Sequence, residues 1–226
     1  MMKEQFDISK TIRNLFSYNN LMFYGIFLAE VERVTSKAIP TAALCMNPTN
    51  RDYKMMFNED FMNSLKPSEQ MGVLLHETMH LIKGHFILDK KLRWDMDLRN
   101  IAFDLHINSE IETNYKSQGI ELPEEGCFPR SYPELNLKEN ESSLYYYQEL
   151  LKAKNNKDKS KKKGEDSTYG QPGNGEGTSG SSRLDSDLDS GSAKNMHSNW
   201  EEILANMTEI EKDLLNIFSL ASEKFD

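Results

Sequence analysis

The feature that most constrains the fold is one short apolar stretch containing three histidines, Leu74-Leu75-His76-Glu77-Thr78-Met79-His80-Leu81-Ile82-Lys83-Gly84-His85. Its first two histidines are four residues apart, so on an α-helix both side chains leave the same face. Upstream, Pro67 and Glu69 are typical of a first helical turn, and Gly84 is typical of a helix end. The stretch therefore predicts a largely buried helix that presents His76 and His80 side by side.

His76, Glu77 and His80 form a His-Glu-x-x-His pattern. Two neutral imidazoles can bind Zn²⁺ and leave positions open, and a neighbouring carboxylate can take a proton from a water that the metal acidifies. A helix with two surface histidines beside an acid is the alternative. The apolar flanks, and the presence of three of the chain's five histidines in this stretch, argue against it. The pattern predicts one Zn²⁺ per chain, with Glu77 as the general base of peptide-bond hydrolysis.

A catalytic zinc site needs a third protein ligand, for which two residues compete. His85 lies nine residues after His76, roughly two and a half helical turns, so on an unbroken helix it would face away from the metal. It would reach the metal only if the chain broke sharply at Gly84. Asp104 lies on a later apolar segment, where a buried acid needs a partner. We favour Asp104, with His85 as the alternative and Asn108, one turn further on, as a hydrogen-bond partner of a histidine ligand.

Composition and charge limit the classes of function that we expect for this chain. The chain has 226 residues, 38% of them hydrophobic, and a net charge of −9. This length supports one sizeable core, and the acidic balance gives no reason to expect binding to nucleic acid or to an anionic membrane. No apolar run approaches the roughly 20 residues of a membrane span. Cys45 and Cys127 match no disulfide framework, so we expect reduced thiols and a cytoplasmic location.

The order of elements predicts an α+β fold that is mostly helical, with a small antiparallel or mixed sheet beside the His-Glu-x-x-His helix. Residues 6–17 and 21–34 are expected to form two helices. Strands are expected at residues 41–46 and at Tyr53 to Phe57, the latter as an edge strand along the cleft where a peptide can add. Further helices are predicted at 100–112 and 142–154.

The amino-acid composition changes in the C-terminal third of the chain. We expect residues 1–154 to form the catalytic domain and 155–195, rich in lysine and then in glycine, serine and aspartate, to be a low-complexity, disordered linker. Residues 196–226 are expected to form an amphipathic helix that opens with a capping-box pattern at Ser198. Its apolar face would pack on the catalytic domain or on a protein partner.

These motifs together resemble a known family. The residues that carry the resemblance are Leu74 to His80 with Gly84-His85, then Asn100 to Asn108, then a low-complexity insert, then His197 to Trp200. The sequence is similar to the metallopeptidase domain found at the N-terminus of von Willebrand factor A-like proteins in bacteria and phages, although it ends without the A-like domain. The resemblance implies a zincin-like fold, zinc at His76, His80 and Asp104, and Glu77 as base. By analogy, His197 would enter the cleft to stabilise an oxyanion or to plug the site; the alternative is an exposed residue beside a helix cap.

Three functions remain open from the sequence. The first is a zinc-dependent peptidase acting on a peptide or protein. The second is a non-catalytic, zinc-binding, zincin-like interaction module that uses its linker and C-terminal helix to bind a partner. The third is a metallohydrolase for a non-peptide amide. A Glu77→Gln variant should keep the metal under the first two hypotheses and lose an activity only under the first.

Overall fold

The computed structural model describes residues 5–46, 53–85 and 94–165. Within these ranges the fold is mostly helical with a small mixed sheet beside the His-Glu-x-x-His helix, which confirms the predicted class. None of the described helices is long and apolar enough to cross a membrane. Cys45 and Cys127 are thiols rather than a disulfide pair.

The N-terminal part contains two helices and a strand. Helix α1 spans Ile8–Leu15 and is capped by the Asp7 carboxylate, which accepts the N–H groups of Ser9 and Lys10. A 3₁₀ turn, Asn19–Leu21, leads into α2, Met22–Glu30. The prediction of one helix through residue 34 is wrong, because Val31 adopts an extended conformation and Glu32–Thr35 forms strand β1.

Two more strands, β2 (Ala42–Met46) and β3 (Tyr53–Phe57), complete the sheet in the order β1-β3-β2. β2 and β3 pair antiparallel, as the sequence predicts, while β1 pairs parallel to β3. The expectation that Tyr53–Phe57 is the edge strand is wrong: β3 is central, its residue Met55 lies between Leu44 and Arg33, and β2 is an edge among the described strands.

Helix α4, Pro67–Ile82, is the central element of the core. It follows a short helix, α3 (Glu59–Ser64), and begins with Pro67 at its first position, as expected. The backbone N–H of Lys66 donates to the Glu69 carboxylate at 2.8 Å, which fixes the first turn. From Gln70 to Leu81 every residue is buried, because the helix lies between the sheet, the N-terminal helices and the following long helix.

Two long helices form the rest of the described structure. Helix α5 spans Met96–Asn114 and α6 spans Ser143–Glu165, both longer than the sequence predicts. They pack on each other through a second apolar cluster that includes Leu98, Ala102, Tyr146 and Leu150. Helix α6 therefore continues into the segment predicted to be a linker. The remainder of that linker, the C-terminal helix and His197 lie outside the described residues.

Candidate metal centre

Helix α4 brings His76 and His80 together, as the four-residue spacing predicts. Both side chains are buried, and their Nε2 atoms lie 3.0 Å apart. The apolar residues around them place this face of α4 against α5 rather than in solvent. The two imidazoles therefore present adjacent nitrogen atoms to one point in the interior.

Helix α5 supplies Asp104 to the same point. Its Oδ1 atom lies 3.1 Å from Nε2 of His80 and 3.6 Å from Nε2 of His76. One donor atom from each of the three buried residues lies within 4.8 Å of the other two. Because Asp104 sits among Ile101, Phe103 and Leu105, the helix carries this carboxylate into an apolar layer where a charge needs compensation.

Asn108 sets the orientation of His76. Its Oδ1 atom lies 2.6 Å from Nδ1 of His76, and its amide nitrogen donates to the carbonyl of Cys127 at 2.9 Å. An amide oxygen can only accept, so Nδ1 of His76 carries the proton and Nε2 keeps its lone pair toward Asp104 and His80. The predicted contact between Asn108 and a histidine of the pattern is present; the Cys127 carbonyl that holds the amide was not predicted.

His85 contacts the other nitrogen of His80. Gly84 has a positive φ of 66°, which ends the regular helix, and Nδ1 of His85 comes within 3.2 Å of Nδ1 of His80. Its ring is buried and stacks on Phe103 with 3.9 Å between ring centroids. Burial lowers the pKa of His85 well below its usual value, and the neighbouring His80 adds to this. A neutral His85 can accept the Nδ1 proton of His80, which leaves Nε2 of His80 with its lone pair.

Glu77 lies beside this cluster and faces the sheet. Its Oε2 atom accepts the backbone N–H of Leu44 in β2 at 3.4 Å. Burial raises the pKa of the Glu77 carboxyl well above its usual value, and the negative charge of Asp104 adds to the rise, while the Leu44 N–H opposes it. The contact from Leu44 comes from the sheet and has no signature in the sequence.

The three clustered side chains fit a divalent transition metal. Two imidazole nitrogens and one carboxylate oxygen form a donor set typical of catalytic zinc sites, which keep a further position for water. His76, Glu77, Asp104 and Asn108 also line a cavity of about 600 Å³, so the cluster has room for water and for a substrate. His106, by contrast, bonds the Glu141 carbonyl at 2.7 Å and lies outside the three-residue cluster.

Comparison with known proteins agrees with this geometry. No curated protein and no solved structure matches the chain. Residues 35–218, which include α4, α5 and most of the segment after α6, match a family described as "putative metallopeptidase domain". The match covers well over half of the 226 residues. The chain therefore belongs to this metallopeptidase-domain family.

Proposed function

We propose that the protein is a zinc-dependent peptidase with His76, His80 and Asp104 as metal ligands and Glu77 as general base. The observation that carries this proposal is the convergence of the three donor side chains on one point, beside a cavity that His76, Asp104 and Glu77 line. Membership of a metallopeptidase-domain family supports the choice of a peptide or protein as substrate.

Zinc suits this donor set because imidazole nitrogens favour borderline-soft metals, whereas magnesium and calcium prefer sites made of oxygen ligands. When bound, the ion polarises the scissile carbonyl and makes a water molecule more acidic. Asn108 holds a proton on Nδ1 of His76, and a neutral His85 can accept the Nδ1 proton of His80, so that each histidine can offer Nε2 as a lone-pair donor. The contact with Asn108 thus presets the tautomer of His76, and His85 is placed to favour the same tautomer in His80.

Glu77 is placed to move a proton. Its buried carboxyl has a raised pKa, which brings its proton affinity closer to that of a group working near neutral pH. In the proposed reaction Glu77 accepts the proton of the attacking water and then donates it to the leaving amine. The N–H of Leu44 favours the charged form and holds the carboxylate against β2.

Strand β2 offers an edge beside the cluster for an extended substrate. Asn58 N–H donates to the Thr41 carbonyl at 2.7 Å, so Thr41 faces β3. Because the backbone N–H and C=O groups of successive strand residues point to opposite sides, those of Ala42 and Leu44 point away from β3. This agrees with the contact from Leu44 to Glu77. A peptide that adds to this edge would lie across Glu77 and the three-residue cluster.

The test compares wild type with Glu77→Gln for zinc content and for cleavage of a fluorogenic peptide library. We expect about one zinc per chain in both proteins and cleavage only by wild type, because glutamine cannot accept a proton from water. Glu149→Gln is the matched control, since Glu149 lies on α6 and bonds Lys152 at 2.6 Å. Zinc in both proteins with no cleavage by either would favour the non-catalytic zinc-binding module.

A further inference from the structure

The cavity extends along α4 away from the three clustered ligands. Glu69, Val73 and His76 line it and are spaced four and three residues apart, so they share one face of the helix. From His76 to Glu69 the helix axis runs back by about 10 Å, two turns toward the N-terminus. The cavity is therefore deep enough to accept a long side chain from a substrate held at the cluster.

Most of the wall between the cluster and Glu69 is apolar. Val73 contributes from α4, Phe61 and Leu65 from α3 and the residue after it, and Leu122 and Pro123 from the loop that crosses α4. This loop approaches closely at Gly72, where an added Cβ would collide with the backbone carbonyl of Glu121. The wall therefore suits an aliphatic chain, and its position depends on glycine at residue 72.

The polar end of the cavity is acidic. Besides Glu77 and Asp104 at the cluster, the cavity is lined by the carboxylates of Glu69 and Glu125, and no lysine or arginine is among the lining residues that the structure describes. Since a bound metal would offset the charge of Asp104, the charges of Glu69 and Glu125 are the ones that disfavour an acidic side chain and favour a cation. A ligand with an aliphatic stem and a positive head matches both the wall and its end.

Glu69 retains capacity for such a cation. Its Oε2 atom accepts the Lys66 backbone N–H, and its Oε1 atom lies 3.5 Å from the Lys66 ammonium. The Lys66 side chain is 71% exposed, whereas that of Glu69 is 14% exposed, so the ion pair is at the surface and weak. A carboxylate accepts roughly four hydrogen bonds, and the backbone contact holds this one in place. Glu69 can therefore bind a second cation from within the cavity.

We propose that this cavity is a specificity subsite for a lysine or arginine residue next to the scissile bond of a peptide substrate. The inference rests on the proposed peptidase function. The aliphatic stem packs against Val73, Phe61 and Leu65, and the cationic head bonds the Glu69 carboxylate, with Glu125 adding to the negative potential. Glu69 is thus a specificity-determining residue.

The experiment uses the zinc-loaded full chain and peptides that differ at one position, with arginine, lysine, leucine or glutamate. We expect kcat/KM for the arginine and lysine peptides to exceed that for the leucine peptide by about tenfold, and the glutamate peptide to be poorest. Glu69→Gln should lower kcat/KM for the arginine and lysine peptides by about tenfold relative to that for the leucine peptide, so that most of the preference for cations is lost. Glutamine still accepts the Lys66 N–H, so the first turn of α4 is kept.

A control variant and a binding measurement separate failure of the subsite proposal from failure of the peptidase proposal. Glu124→Gln, an exposed neighbour of Glu125 that does not line the cavity, should leave the preference unchanged. In a Glu77→Gln background, the arginine peptide should bind about tenfold more tightly than the leucine peptide by fluorescence anisotropy, and Glu69→Gln should abolish the difference. Equal cleavage of the arginine and leucine peptides by wild type would overturn this inference alone, whereas cleavage of no peptide by zinc-loaded wild type would overturn the peptidase function.

Discussion

Asn108 and His85 occupy the ring nitrogens of His76 and His80 that point away from the cluster. The Asn108 contact fixes a proton on Nδ1 of His76, and a neutral His85 can accept the Nδ1 proton of His80, which would leave both Nε2 atoms available as ligands. Asn108 is held in turn by the Cys127 carbonyl, and His85 by stacking on Phe103. Asn108 and His85, which are not among the three clustered ligands, are thus expected to influence how tightly the cluster binds metal.

Replacing His85 should weaken zinc binding without abolishing it. His85→Leu removes the acceptor for the Nδ1 proton of His80, and loss of such a contact typically costs 10- to 100-fold in metal affinity. Competition with a chromogenic chelator would give the zinc Kd, with His106→Leu as the control on α5. Complete loss of zinc, as expected for His80→Ala, would instead show that His85 is itself a ligand.

Asp104→Asn should remove zinc while leaving the metal-free protein folded. The substitution removes a charged ligand from the cluster, yet it also removes a buried charge that is costly without a cation. We therefore expect zinc content far below one per chain and an unchanged or higher Tm for the metal-free variant. Asp97→Asn, in the first turn of α5, serves as the control. A variant that keeps stoichiometric zinc would exclude Asp104 as a ligand.

The residues of the cluster were predictable because helical spacing is local: four residues place His76 and His80 on one face, and Asp104 was an acid in an apolar segment. The contact from Leu44 to Glu77 was not predictable, since it joins a strand to a helix through tertiary packing. The position of His85 depends on the left-handed backbone conformation at Gly84. The glycine in the sequence indicates that such a conformation is accessible, but not where it places the residue that follows.

At the scale of elements, the crossing of the 120–123 loop over α4 shapes the cavity. Gly72→Ala should destabilise the protein even though alanine favours helices, because the added Cβ meets the backbone carbonyl of Glu121. Overpacking of this kind costs about 1–3 kcal/mol, more than the gain of up to about 1 kcal/mol in helix propensity. A lower Tm by calorimetry, with Ser64→Ala on α3 as control, is expected. A raised Tm would mean that the loop moves without cost.

Asp95 links α5 to α6. Its carboxylate caps α5 through the Leu98 N–H and bonds Lys154 at 2.8 Å. Burial raises the pKa of this carboxyl, but the Lys154 and Leu98 contacts outweigh it and lower the pKa overall. A lowered folded-state pKa means that the stabilisation is present above about pH 4, the unfolded value, and is lost as pH falls through the folded value.

Asp95→Ala should therefore lower stability by about 1 kcal/mol at neutral pH, the usual cost of losing a helix cap. The difference from wild type should shrink below about pH 4, where the wild-type carboxyl becomes protonated. Urea denaturation at several pH values measures this, and Asp95→Asn, which keeps a capping oxygen, should lose less. A difference that is independent of pH would assign the effect to packing.

Strand β1 shows where prediction of elements fails. The apolar residues of the 21–34 segment lie mainly in α2, whereas β1 is short, mostly polar and largely exposed, so no hydrophobic alternation separates it from the helix. Parallel pairing of β1 with β3 joins residues about 20 positions apart, so no hairpin turn motif in the sequence predicts it. The same pairing makes β3 central and leaves β2 at the edge beside Glu77, which relocates the proposed substrate strand.

At the scale of the whole molecule, the acidic cavity agrees with the net charge of −9. A negative field around an acidic cleft attracts cationic peptides over a distance of about one Debye length, roughly 8 Å at physiological salt. The overall charge thus favours the encounter with a cationic peptide, and the proposed subsite favours its binding by direct contact.

The family match spans residues 35–218 and so includes the segment predicted to be a low-complexity linker together with His197 beyond it. Deleting residues 170–193 should leave zinc content and Tm unchanged, because a segment with so few apolar residues contributes little burial to offset the entropy of ordering. Mass spectrometry under native conditions and thermal melting would measure both. Replacement by glycine and serine of equal length separates the effect of sequence from that of length. Loss of zinc in both variants would show that this segment supplies a ligand, whereas loss in the deletion alone would show that its length is needed to place the residues that follow.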